Sequence, residues 1–511
     1  MKRLFSSTPL TSHSVPGPLR YEGGLHYSGS WLGQRGIRSP LRPNHQHQVR
    51  PGPGNRRIRY RAEQQLVQLE RHHCLEGYPF CRRHFRQQSM AATTKARRLE
   101  HYPPGECFRR SGGSAAQSLF DGGGMAAQGI VFVNYNRRDG AMGWLAHPQL
   151  NAEMAKEVGY NVSGNWGMLD EFAALKWVHD NIDAFGGDPN QITVAGQSAG
   201  SAATYHMLNS PLTKGLIKGA IIESGIRYPR DPLASSLAEN YQNMSTALAA
   251  GVSMLDSLNV TTIDETRQIP LDTILNTGSS SWSATLDYYA MPDTYWNTML
   301  NGPANDVPVI TGNTKDESGA ALPINITVAE YVANLQEQYA SRPAWPKTRT
   351  IATPRSCPVG SSRTAGTTVP PLAPSIRTSD PFPRKGKEKS INRNTICSYY
   401  WDHAPPGQDQ GAYHESEICY ALNNLYGTDY PWKEEDFVIA RKMNGYWANF
   451  VKTHNPNEGG SYADGELVQW NPNDPQKNIT MHLGDGWGDY LIAAAAKVEL
   501  ISEFFSTQHA Y

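Results

Sequence analysis

No stretch of this 511-residue chain is apolar for the roughly 18 residues that a membrane-spanning helix needs, so a transmembrane protein is excluded and a soluble one expected. Cysteine is scarce. The six cysteines, Cys74, Cys81, Cys107, Cys357, Cys397 and Cys419, show neither paired metal-ligand spacing nor the density of a disulfide scaffold, so no metal centre or cofactor is expected. The N-terminus begins with Lys2 and Arg3 but lacks the apolar core of a secretory signal, which runs to roughly 7–15 residues. Net charge is also missing, since 47 basic residues balance 47 acidic ones.

That balance conceals an uneven division. Residues 1–110 hold about 20 Lys or Arg against about 6 Asp or Glu, and residues 341–395 about 11 against 2. The remainder is acidic. Residues 1–110 are rich in Pro-Gly, Arg-Arg and His clusters, with a short helix expected only over 64–69. Such a pattern builds no core, and it reads as a segment without a recognisable fold, disordered or derived from a wrong reading frame. Residues 341–395 are rich in Pro, Ser, Thr and Arg and lack periodicity; a structureless insert of that size inside a compact domain is anomalous. The basic arm raises nucleic-acid binding as a competing function, but no nucleic-acid partner is expected.

From Ser111 onward the texture changes to alternating strands and helices. Residues 129–135, Gly-Ile-Val-Phe-Val-Asn-Tyr, read as a buried strand. Residues 165–182 follow as a helix with Leu169, Phe172, Leu175, Trp177 and Val178 on one side. Strands are expected at 191–196, 219–224 and 307–313, and order returns at Cys397-Ser398-Tyr399-Tyr400-Trp401. Alternation of this kind implies a mostly parallel sheet covered on both faces.

The chemistry centres on Gly196-Gln197-Ser198-Ala199-Gly200, placed between a strand and a helix. A serine at such a turn is held in a strained conformation above the sheet, and the following N–H, here Ala199, lies at a helix N-terminus where it can stabilise an oxyanion. A serine nucleophile needs a base and an acid to orient that base. Asp316 and Glu317 follow the strand at 307–313, at the edge where open α/β sheets carry their sites. His414 lies further on, in Gly411-Ala412-Tyr413-His414-Glu415-Ser416-Glu417.

These motifs, with Phe120-Asp121-Gly122, Asn134-Tyr135-Asn136-Arg137-Arg138, Gly164-Asn165-Trp166-Gly167, Phe185-Gly186-Gly187-Asp188-Pro189, Glu223-Ser224-Gly225 and Trp447-Ala448-Asn449-Phe450, occur together and in order. Over residues 111–340 and 396–511 the chain resembles the type-B carboxylesterases, a group of α/β-hydrolases. The resemblance implies an α/β-hydrolase fold with a mostly parallel central sheet. It implies a carboxylic ester hydrolase with Ser198 as nucleophile, Glu317 as acid and His414 as base, acting on a small-molecule or lipid ester. It also implies that Ser224 is a hydrogen-bonding partner behind these residues, and that Asp170 pairs with Arg137 or Arg138. Five Asn-x-Ser/Thr sequons, at Asn161, Asn243, Asn259, Asn325 and Asn478, fit the secreted, glycosylated character expected by this resemblance.

One part of the pattern is missing. The resemblance calls for a strand ending in paired glycines just before Ser111, whose N–H groups complete the oxyanion hole; residues 102–110 read Tyr-Pro-Pro-Gly-Glu-Cys-Phe-Arg-Arg. The N-terminal strands and the oxyanion strand are therefore expected to be missing or replaced, with Gly122-Gly123-Gly124 a possible substitute. The competing expectation is a catalytically impaired or non-catalytic relative.

Overall fold

The computed structural model describes residues 114–231, 241–277, 282–317, 319–320, 327, 330, 395–473, 477, 479–491 and 493–511. The basic N-terminal stretch, the expected helix at 64–69, residues 341–394 of the anomalous insert and four of the six cysteines lie outside them.

The main sheet has six strands: β1 (Thr193–Gln197), β2 (Gly219–Glu223), β5 (Val309–Thr314), β6 (Ile396–Trp401), β7 (Ile479–Leu483) and β8 (Gly488–Leu491), in that spatial order. The intervening β3 (Gln242–Asn243) and β4 (Thr285–Leu286) form a separate parallel pair. The strands from β1 to β7 in the main sheet run parallel, and β8 returns antiparallel on β7. Parallel neighbours need crossovers, and the chain supplies helices for them. The helix Ala199–Asn209 joins β1 to β2, and Glu434–Thr453 lies between β6 and β7 in sequence.

The period-2 alternation of strand side chains distributes the core to both faces of the sheet. In β2, Ala220 and Ile222 belong to a core with Met168, Leu169, Phe172 and Leu208, while Ile221 belongs to a second core with Tyr399, Trp447 and Phe450. Every residue of β2 is buried, which explains its continuous apolar run. The second core is rich in aromatic rings: Tyr399 meets Trp447 edge-on, at a centroid distance of 5.5 Å. The helix Glu434–Thr453 presents Ala440, Met443, Trp447 and Phe450 to it, at helical spacing.

Residues 129–135 correct the reading of the sequence. They form no strand, and Val131, Val133 and Tyr135 are 39–40% exposed. Ile130 and Phe132 still pack on the second core. An apolar run becomes a buried strand only with a ladder partner, and among the described residues none pairs with it; β1 likewise pairs only with β2.

Candidate active site

Ser198 follows β1 and caps the helix Ala199–Asn209 with φ 55° and ψ −119°, a positive φ that only a sharp, overdetermined turn imposes on serine. The turn is crowded. A Cβ at Gly196 would stand 2.0 Å from the Gly200 carbonyl oxygen, so glycine is required there; a Cβ at Gly200 would meet nothing within 4 Å. The Ser198 N–H donates to the Glu223 carbonyl at 2.9 Å. One strand over, Ser224 repeats the device with φ 52°, its N–H donating to the Gly312 carbonyl at 2.8 Å. The two turns are pressed together, because a Cβ at Gly225 would lie 2.6 Å from the Ser198 carbonyl oxygen and 1.8 Å from Ser201 Oγ.

The structure separates Asp316 from Glu317. Glu317 Oε2 faces His414 Nδ1 at 2.5 Å. Its other oxygen accepts from the Thr314 N–H at 2.9 Å and from the Asn313 amide at 3.2 Å. Asp316 instead ties the two loops together: its carboxylate accepts from the Ala412 N–H at 2.9 Å, and its own N–H donates to the Ala412 carbonyl at 3.0 Å.

The local electrostatics follow from this wiring. Burial pushes the Glu317 carboxyl up, but the hydrogen bond and charge of His414, with help from Ser224 and Thr314, outweigh it and hold the group below its ordinary range. Burial pushes His414 down, yet Glu317, and to a lesser extent Glu415, outweigh that and the opposing Arg227, so the imidazole is raised. Ser224 Oγ donates to Glu417 Oε1 at 3.3 Å, behind Glu317. Glu417 is fully buried, and desolvation first, then the nearby Glu223 and Glu317, raise it well above the carboxyl range. Glu223, receiving the Trp447 indole N–H at 2.7 Å, is pushed up to about 7 by burial.

The predicted site residues thus sit at the C-terminal edge of β1, β2 and β5, with one contact different from a working acyl-transfer triad. The hydrogen bonds of the described residues join His414 to Glu317 and to Gln197, not to Ser198. Gln197 Nε2 lies 3.3 Å from the ring Nε2 and 3.4 Å from Nδ1. Residue patterns alone assigned Gln197 no role; its place beside Ser198 was the available signal. The buried Glu417, three residues beyond His414, was also missed.

Other pairings are resolved as well. Arg138 takes Asp170, with its Nε at 2.8 Å and an Nη2–Oδ1 contact of 2.6 Å, while Arg137 pairs with the buried Glu171. Gly123–Ala127 is a short helix whose Gly123 N–H donates to Asp121 at 2.8 Å, and a Cβ at Gly124 would meet the Leu422 carbonyl at 2.1 Å. These glycines pack against Phe132, Asp121, Tyr426 and the Leu422 carbonyl. The Ala199 N–H opens its helix without an intrahelical acceptor. Among the described residues no cluster of three or more His, Cys, Asp or Glu could hold a metal ion, and no helix is long and apolar enough to cross a membrane. Cys397 and Cys419 are free and buried.

The profile of the Carboxylesterase family matches residues 104–352 and 381–489. The chain belongs to the carboxylesterase family. It is 32% identical over 365 residues to the fumonisin B1 esterase of Sphingopyxis macrogoltabida, covering 68% of this chain and 64% of that enzyme. It is 33% identical over 212 residues to the para-nitrobenzyl esterase of Bacillus subtilis (strain 168), covering 40% of this chain and 41% of that one. A solved PNB esterase structure superposes with a TM-score of 0.57 at 24% identity, covering 76% of this chain and 77% of its own, a likeness of fold. The chain therefore spans a little under two thirds of the fumonisin esterase. The family match omits residues 353–380, inside the basic Pro/Ser/Thr-rich segment, and begins at 104.

Proposed function

We propose that this protein hydrolyses small-molecule or lipid carboxylic esters through a serine acyl-enzyme. The observation that carries the reading is the 2.5 Å bond between Glu317 and His414, set beside a strained Ser198 at the head of a helix. As the Ser198 hydroxyl attacks the ester carbonyl, its proton passes to His414 Nε2, and Glu317 stabilises the imidazolium. The tetrahedral oxyanion faces the Ala199 N–H. The alcohol leaves with the proton from Nε2, and water repeats the sequence in reverse to free the acid and Ser198. His414 Nε2 must come within hydrogen-bond reach of Ser198 Oγ, a tightening expected on substrate binding.

Labelling with a fluorophosphonate, alongside Ser198→Ala, tests the assignment: label on the wild type alone supports it. Absence of Ser198-dependent labelling would instead assign the chain to a non-catalytic role. A panel of p-nitrophenyl esters of increasing acyl length then defines the substrate class. Secretion and N-glycosylation belong to the same proposal. They are supported by the exposed Asn161, Asn243 and Asn259, the other two acceptors, Asn325 and Asn478, lying outside the described residues, and an enzymatic deglycosylation that leaves the gel mobility of the secreted protein unchanged would count against glycosylation.

A further inference from the structure

Seven described residues other than glycine have a positive φ, and six of them lie between 50° and 60°. Glu415 stands apart at 82°, beyond the φ of roughly 50–70° that side chains tolerate in the left-handed region. This chain otherwise gives such values to glycine, as at Gly159 and Gly407, both 80°, and Gly186, 87°. The turn is fixed from both sides. The Ser416 N–H donates to the Tyr413 carbonyl at 2.9 Å, Ser416 Oγ accepts from the Trp401 indole at 3.0 Å, and His414 is tied to Glu317. Yet among the described residues the exposed Glu415 carboxylate makes no hydrogen bond or ion pair; its charge is felt instead by Tyr413 and His414.

We propose that Glu415 is a positioning residue for the acid–base step: its turn bears a glutamate where glycine would sit with less strain, and the carboxylate held there stabilises the His414 imidazolium as it forms. This rests on the esterase reading above. One proton moves from Ser198 Oγ to His414 Nε2 as the Oγ–carbon bond forms and the carbonyl π bond breaks; Glu415 exchanges no proton. The other groups around the ring are Glu317 after β5, whose effect is larger, Arg227 beyond β2, which opposes it, and the uncharged Gln197 amide against the ring. Glu417, Glu223 and Tyr399 lie behind Glu317. Because Glu415 faces water, solvent screening keeps its contribution modest.

The test uses the full chain carrying Glu415→Gln, which removes the charge and keeps the strain, or Glu415→Gly, which removes both. Three readouts are taken: the NMR titration of the His414 ring, assigned by its loss in His414→Gln; the pH profile of kcat/KM for p-nitrophenyl butyrate; and Tm. In both variants the NMR midpoint and the acid limb are expected to fall together by about 0.3–0.5 of a pH unit at low salt, roughly a two- to threefold change in proton concentration, as for loss of an exposed charge. The difference from wild type is expected to close in about 1 M salt, where the screening length is about 3 Å. Tm is expected to rise by roughly 1–3 °C in Glu415→Gly alone, as the turn relaxes. A midpoint unchanged in Glu415→Gln, or a glycine variant that melts no higher than wild type or does not fold, overturns the proposal. Wild-type hydrolysis persisting in Ser198→Ala would sink the esterase reading, while the NMR titration and Tm would still report on Glu415.

Discussion

Glu317 and His414 sit on two loops stitched to each other by the paired Asp316–Ala412 bonds, above strands that have neighbours on both sides. Ser198 stands instead just beyond β1, which among the described residues pairs on one side only, and the oxyanion proposed for it faces the Ala199 N–H. The loops that carry Glu317 and His414 are held by several bonds, so they tolerate the loss of one that does not touch His414. The nucleophile half depends on a few strained positions, where one change removes the function.

The largest effect should come from Ser198→Ala, with kcat on p-nitrophenyl acetate lowered by about 10⁴-fold or more. Glu317→Gln should cost about 10³–10⁴-fold, because the imidazole loses its orienting charge. Asp316→Asn should stay within about tenfold of wild type while lowering Tm by roughly 2–4 °C, through the loop staple. Equal losses in the two variants would erase the distinction drawn between those carboxylates. Ala199→Pro removes an N–H and also sets a proline ring after Ser198, whose φ of 55° and ψ of −119° a residue before proline disfavours; a fall of at least about 10²–10³-fold in kcat together with a lowered melting transition is expected. A smaller loss would mean that other donors carry the oxyanion.

The pH dependence sharpens the acid–base side. Because Glu317 raises His414, kcat/KM should fall as pH drops through a value above the ordinary histidine pKa of about 6.5. In Glu317→Gln that limb should move down. The smallest effect concerns Glu223, pushed up to about 7 by burial. A raised folded-state pKa contributes stability that is complete below the unfolded value and lost as pH rises toward about 7. Glu223→Gln should therefore raise Tm by roughly 2–4 °C at pH 8 and change it little near pH 4, measured by calorimetry.

Much of the fold was legible because the relevant signals are local. The runs at 219–224 and 307–313 became β2 and β5 within two residues, and the apolar spacing after Asn165 became the helix Trp166–Asn181. The elbow was legible for the same reason: Gly196 is required by a contact four residues away. Residues 129–135 were misread because strand formation is a property of pairs, and the run carries no record of whether a neighbour is present. The helix Glu434–Thr453 was recognised only at its Trp447 motif, since its buried stripe acquires meaning from the sheet beneath it.

What the sequence determined alone is the set of chemical groups and the sharp turn that displays Ser198, for these depend on residue identity and on backbone sterics over a few positions. Tertiary structure decided which carboxylate holds His414, which arginine meets Asp170, and that the Gln197 amide lies against the His414 ring. Those outcomes rest on separations of 2.5–3.4 Å between residues 32–217 positions apart in the chain, which only the packing of sheet and loops fixes.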